Sequence, residues 1–96
     1  MKFLVKLTPH LPDTLTAEEL AELLKRERAR GADFLKAGEM KRIWRLPGTS
    51  SALLLWEVAG PDELHENLSS LPVWRYCDVE VTPLMQHPLE AMHRAA

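Results

Sequence analysis

With 96 residues, 46% of them hydrophobic, the chain is too apolar for a disordered segment, and its length fits one domain with no separate regulatory module. Its 12 Lys and Arg against 14 Asp and Glu give a net charge of −2, which leaves no basic footprint for nucleic acid or an anionic membrane. The lone Cys77 excludes an intrachain disulfide and a Cys-rich zinc site, and it suits a reducing compartment.

The opening run Met1-Lys2-Phe3-Leu4-Val5-Lys6-Leu7-Thr8 is too short and too charged for a signal peptide. No apolar run approaches the ~18 residues of a membrane span, so a cytoplasmic location is expected. From residue 2 to 8 the chain alternates, with Phe3, Val5 and Leu7 on one face, which predicts a half-buried strand. Pro9 and Pro12 break regularity. Thr16 with Glu19 then forms a capping box that opens a helix. Leu20, Leu23, Leu24, Glu27 and Phe34-Leu35 recur at helical spacing, so the helix runs to about Ala37 and stops at Gly38, with Gly31 inside it at some cost.

A second strand is expected over residues 39–46, and Pro47-Gly48-Thr49 turns into a third over 52–58. That third strand is apolar on both faces, so something beyond its own helices must cover the second face. Gly60-Pro61-Asp62 starts a short helix carrying Leu64, Leu68 and Leu71, ended by Pro72. A last strand spans 76–82, with Cys77, Val79 and Val81 on one side and Tyr76, Asp78 and Glu80 on the other. The order β-α-β-β-α-β closes as an α+β, ferredoxin-like antiparallel sheet with both helices on one face and the other face open. Residues 1–96 are read as one domain, with 88–96 as a C-terminal arm or a frayed end. So small a chain buries a limited share of its surface, which makes subunit association expected.

The segments Phe3-Leu4-Val5-Lys6-Leu7-Thr8, Arg26-Glu27-Arg28-Ala29, Arg42-Ile43-Trp44-Arg45-Leu46-Pro47-Gly48, Leu64-His65, Leu71-Pro72, Tyr76-Cys77-Asp78-Val79-Glu80-Val81 and His87-Pro88 occur in this order along nearly the whole chain. Taken together they resemble the muconolactone Δ-isomerase family. The resemblance implies a subunit that pairs its open sheet faces as a dimeric α+β barrel and assembles further, in the type enzymes into a decamer. It implies a site in a cleft on the sheet near the subunit boundary, and it implies no cofactor. The implied reaction belongs to aromatic-compound breakdown, by the β-ketoadipate route: muconolactone becomes 3-oxoadipate enol-lactone as a ring proton is removed and returned elsewhere through a dienolate. The chain departs from the family pattern at Met40, Arg42, Thr49-Ser50-Ser51 and the ending after Pro88, which leaves the exact substrate open.

Such chemistry needs a base, the same group as acid, and cationic or hydrogen-bonding groups for the substrate carboxylate and the dienolate oxygen. Glu27 matches the family's helix Glu and is the first candidate base, provided that burial raises its proton affinity. The plain alternative is a solvated carboxylate between Arg26 and Arg28. Glu80 on the open face is its rival. Arg45 offers a bidentate fork for the substrate carboxylate and Lys6 a point charge, unless both only pair with Asp78 or Glu80. His65 matches a family His and is a candidate donor or proton relay, the alternative being a helix-surface or interface His. Trp44 and Tyr76, with Trp56 and Trp74, are candidate pocket walls or plain core filler. The scattered histidines lack metal-ligand spacing, and Cys77 reads as a small buried hydrophobe. A second reading stays open: a non-catalytic or divergent paralogue that binds a small hydrophobic acid.

Overall fold

In a computed structural model, residues 1–95 are described. The elements are β1 (Lys2–Pro9), α1 (Ala17–Ala37), β2 (Met40–Arg45), β3 (Ala52–Glu57), α2 (Pro61–Ser69), a 3-10 turn at Trp74–Tyr76, β4 (Cys77–Leu84) and α3 (Pro88–Ala95). The strands form one antiparallel sheet in the order β2-β3-β1-β4, the ferredoxin-like arrangement anticipated from the element sequence. No described helix is long and apolar enough to cross a membrane.

Alternation in β1 does what its pattern requires: Phe3, Val5 and Leu7 are buried, while Leu4, Lys6 and Thr8 turn to the other face. The α1 capping box is complete, the Thr16 hydroxyl accepting from the Glu19 amide at 3.0 Å and the Glu19 carboxylate from the Thr16 amide at 2.9 Å. Gly38 ends α1 with φ of 79°, a left-handed conformation costly for any side chain, and the Glu39 amide then donates back to the Phe34 carbonyl at 3.2 Å. Gly31 lies inside α1 and costs about 1 kcal/mol relative to Ala.

Pro61 takes the first position of α2, where its missing N–H is no loss, and Leu64 and Leu68 point into the core. The core joins Phe3, Val5 and Leu7 to Phe34, Met40, Leu54, Trp56, Leu64 and Leu68. Phe34 meets Trp56 edge to face at 4.9 Å. The Trp56 indole N–H is buried without a partner, which offsets part of what that large side chain contributes.

Several boundaries differ from the sequence reading, among them α2, which stops at Ser69 and leaves Leu71 beyond it. Tyr76 belongs to the 3-10 turn and not to the strand, because the amides of Trp74 and Tyr76 bond to the carbonyls of Leu71 and Val73 and curl the chain after Pro72. The strand continues to Leu84 through Pro83, a residue tolerated because β4 lies at the sheet edge. Residues 88–95 are helical: His87 Nδ1 accepts from the Leu89 amide at 3.0 Å, and Glu90 pairs with Arg94 at 2.9 Å. Ala96 of the anticipated arm lies outside the described residues.

Candidate active site

A cavity of about 560 Å³ opens between α1 and the helix-covered face of the sheet. From α1 it is lined by Leu20, Leu24, the neighbours Glu27 and Arg28, and Gly31, which recur every three or four residues and so share one side of the helix. Leu7, Met40, Ala52 and Leu54 form its sheet wall, and Leu71 and Val73 close it from the segment after α2. Most of this lining is aliphatic. Charge enters at three places, Glu27, Arg28 and Arg45, of which the two arginines are exposed and stand at the rim. The lining therefore carries one positive charge in excess.

Glu27 is half-buried, and its Oε2 is buried with no protein partner. Burial pushes its carboxyl above the ordinary Glu range, and a hydrogen bond from the Val73 backbone opposes that rise only in part. Cys77 lines the same cavity. Burial, with the Glu27 and Asp78 carboxylates behind it, pushes its thiol up to about 11, so at neutral pH the sulfur keeps its proton.

Arg45 reaches the cavity because of an irregularity in β2. Met40 pairs with Trp56 and Arg42 with Leu55, a register shift that places one extra residue between them. The shift reverses the alternation, so Ile43 and Arg45 join Met40 on the cavity side while Arg42 and Trp44 turn away. The turn after β2 then holds the guanidinium: Arg45 Nη1 donates to the Ser50 carbonyl, and both residues line the cavity. That turn is fixed by Thr49, whose hydroxyl donates to the Leu46 carbonyl at 2.9 Å and accepts from the Ser51 amide at 3.0 Å. Ser51 is itself buried, its hydroxyl 3.1 Å from that of Thr8. The Thr49-Ser50-Ser51 departure is thus the segment that seats Arg45.

Of the residues singled out from sequence, the structure brings Glu27 and Arg45 to the cavity. Lys6, Trp44 and Glu80 share the opposite face of the sheet, where Lys6 stands 3.8 Å from Glu80 and Arg42 lies over the Trp44 ring at 4.9 Å. Tyr76 borders a separate depression beside Glu19, Glu22 and Arg26. His65 is exposed and meets Trp74 edge to face at 5.6 Å. These five lie apart from the cavity lining because strand parity, the 3-10 turn and the outer side of α2 direct them elsewhere. Sequence reasoning missed Arg28, Gly31 and Cys77 as lining groups. The α1 residues were detectable, since Arg28 stands four after Leu24 and Gly31 four after Glu27.

The family model described as muconolactone delta-isomerase matches residues 1–90. Muconolactone Delta-isomerase 1 of Acinetobacter lwoffii is 36% identical over 88 residues, 92% of each chain. The enzyme of that name from Rhodococcus opacus is 32% identical over 85 residues, 88% of this chain and 91% of the other. A crystal structure of muconolactone isomerase superposes with a TM-score of 0.87 at 30% identity, covering 92% of each chain. These likenesses place the chain among α+β isomerases with a ferredoxin-like sheet. The chain belongs to the muconolactone delta-isomerase family.

Proposed function

We propose that this isomerase transposes the ring double bond of an unsaturated lactone carrying one carboxylate, muconolactone being the first substrate to test, with Glu27 as the proton carrier. The observation that carries the reading is the buried, unpartnered Oε2 of Glu27 in a mostly aliphatic cavity. A carboxyl with raised proton affinity is a stronger base when ionised, and a better match to a carbon acid than a solvated one. In the first half of the reaction Glu27 takes a ring proton from the lactone, which becomes a dienolate. In the second half the Glu27 carboxylic acid returns that proton to a different ring carbon, so the enzyme ends as it began and no net proton or electron is consumed.

Arg45, seated by the Ser50 carbonyl, and Arg28 at the same rim hold the substrate carboxylate and face the charge that builds on the dienolate oxygen. A monocarboxylate would balance the one positive charge in excess around the cavity. Cys77, protonated, adds a weak donor beside Glu27 and no nucleophile. Lys6, Trp44, Tyr76, His65 and Glu80 have no part in this mechanism.

The chain as one domain, in a homo-oligomer and in the cytoplasm, completes the proposal. Assembly is supported by large apolar side chains left exposed, among them Trp44 at 40%, Leu89 at 67% and Met92 at 69%. Sizing in solution tests it, and a monomer at micromolar concentration removes it. The catalytic reading is tested by mixing the enzyme with muconolactone and following the ultraviolet change of double-bond migration. Rapid conversion supports it. No conversion at micromolar enzyme leaves the cavity as a binding site for a small hydrophobic acid.

A further inference from the structure

Gly31 has no backbone reason to be glycine. Among the described residues positive φ occurs at Gly38 and Gly48, so Gly31 keeps an ordinary helical conformation that any residue can adopt. Nor is it forced by close packing. A Cβ placed on Gly31 would have only the terminal methyl of Met40 within 4 Å, at 3.9 Å, an ordinary contact with the end of a flexible side chain. Alanine would therefore fit the fold and strengthen α1. What remains is the cavity: Gly31 and Met40 both line it, and Gly31 lies one turn after Glu27 on the same side of the helix.

We propose that Gly31 is a specificity residue that lets the site accept a lactone with a small alkyl or halogen substituent on the ring, seated against the bare α1 backbone beside Met40. The inference rests on the lactone reading above and extends it to the substrate's size. With Glu27 at one point of α1 and the two arginines at the rim, a bound lactone acid has its ring along α1 and its carboxylate outward. The ring edge nearest Gly31 then meets space where any other residue would present a Cβ. Met40, unbranched and adaptable, forms the other wall of that recess.

The test compares the wild-type enzyme with Gly31→Ala, using two saturated, unreactive butyrolactone acetic acids, one plain and one ring-methylated, with binding read by calorimetry. Gly31→Ala should weaken the methylated acid about tenfold or more, as steric mismatch of one methyl commonly does, and leave the plain acid within about twofold. The melting temperature should rise, which certifies that the variant is folded. Equal weakening of both acids, no weakening of either, or failure of the wild type to bind either one overturns the proposal. Turnover of the corresponding unsaturated lactones is read separately. Size discrimination without turnover removes the isomerase mechanism and keeps the recess, while turnover without discrimination does the reverse.

Discussion

The two faces of the sheet carry the same kinds of charged group in opposite surroundings. On the helix-covered side Glu27 sits against leucines with one oxygen unpartnered, and Arg45 is tied to a carbonyl at the rim of an aliphatic recess. On the other side Glu80 and Lys6 stand 3.8 Å apart with side chains 74% and 41% exposed. Water and Lys6 do for Glu80 what a single backbone hydrogen bond from Val73 does only in part for Glu27. An acid that is solvated and ion-paired has little reason to hold a proton, whereas one that has lost part of its water and has no ion pair becomes a stronger base toward a carbon acid.

The sharpest way to break this contrast is to remove each carboxylate in turn. Glu27→Gln should lower kcat by roughly 10²–10⁴-fold, the usual worth of a positioned general base, in a variant that still folds. Glu80→Gln should leave kcat within about twofold. The reverse pattern in steady-state kinetics would transfer the chemistry to the open face and end the mechanism given above. The wild-type pH profile adds a second reading. Because burial raises the Glu27 carboxyl and the base must be ionised, kcat/KM should fall as pH drops, beginning above the ordinary carboxylate range.

Next in size is the anchor. Arg45→Leu removes a charge-assisted contact that is typically worth about 1.5–3 kcal/mol, so KM should rise roughly 10–100-fold with a smaller change in kcat. Arg45→Lys keeps the charge and loses the fork, and it should recover only part of the loss. Lys6→Ala should leave KM unchanged within about twofold. A KM that responds to Lys6 and not to Arg45 would place the substrate on the opposite face.

Stability supplies a third comparison. The folded state holds the Glu27 proton more tightly than the unfolded chain does, so the folded protein binds more protons over the pH range between the two affinities. Stability linked to Glu27 is thus fully present below the ordinary carboxylate range and is lost as pH rises through the raised value. Glutamine mimics the protonated acid. Glu27→Gln should therefore raise the melting temperature at pH 7 by about 2–5 °C, and the gain should vanish at the acid end of the titration. A gain that does not change with pH would mean that the carboxyl is solvated after all.

How far the sequence carries this picture differs between fold and site. Alternation at Phe3, Val5 and Leu7, the Thr16–Glu19 cap and the Gly38 stop are local signals, and the structure uses each of them as the rules of strand and helix require. Glu27 was legible for the same reason, since it stands in the leucine register of α1. Arg45 was legible as a fork but not as a cavity group. Strict alternation from Met40, which is buried, would turn Trp44 toward the cavity and Arg45 away from it, and only the shift between Met40 and Arg42 undoes that parity. A bulge depends on pairing with β3, so a residue count along β2 alone does not reveal it. Lys6 and Arg45, the two candidate anchors, part on the same point, one to each face of the sheet. Gly31 was noted as a cost within the helix, and its meaning waits on the space beside it, which no pattern in the chain encodes.

The smallest effect is expected from Lys6 and Glu80 themselves. They face each other across β1 and β4, the geometry in which opposite charges on neighbouring strands attract. At 3.8 Å the contact is long, and both side chains are wet, so screening and side-chain entropy take back most of the Coulomb term. A double-mutant cycle of Lys6→Ala and Glu80→Ala in denaturant unfolding should therefore give a coupling below about 1 kcal/mol, falling further with added salt. A coupling well above that, insensitive to salt, would mean the pair is shielded from water in solution. A sister molecule laid over this face would produce that shielding, and repeating the cycle at protein concentrations below and above the assembly midpoint would identify it as the source.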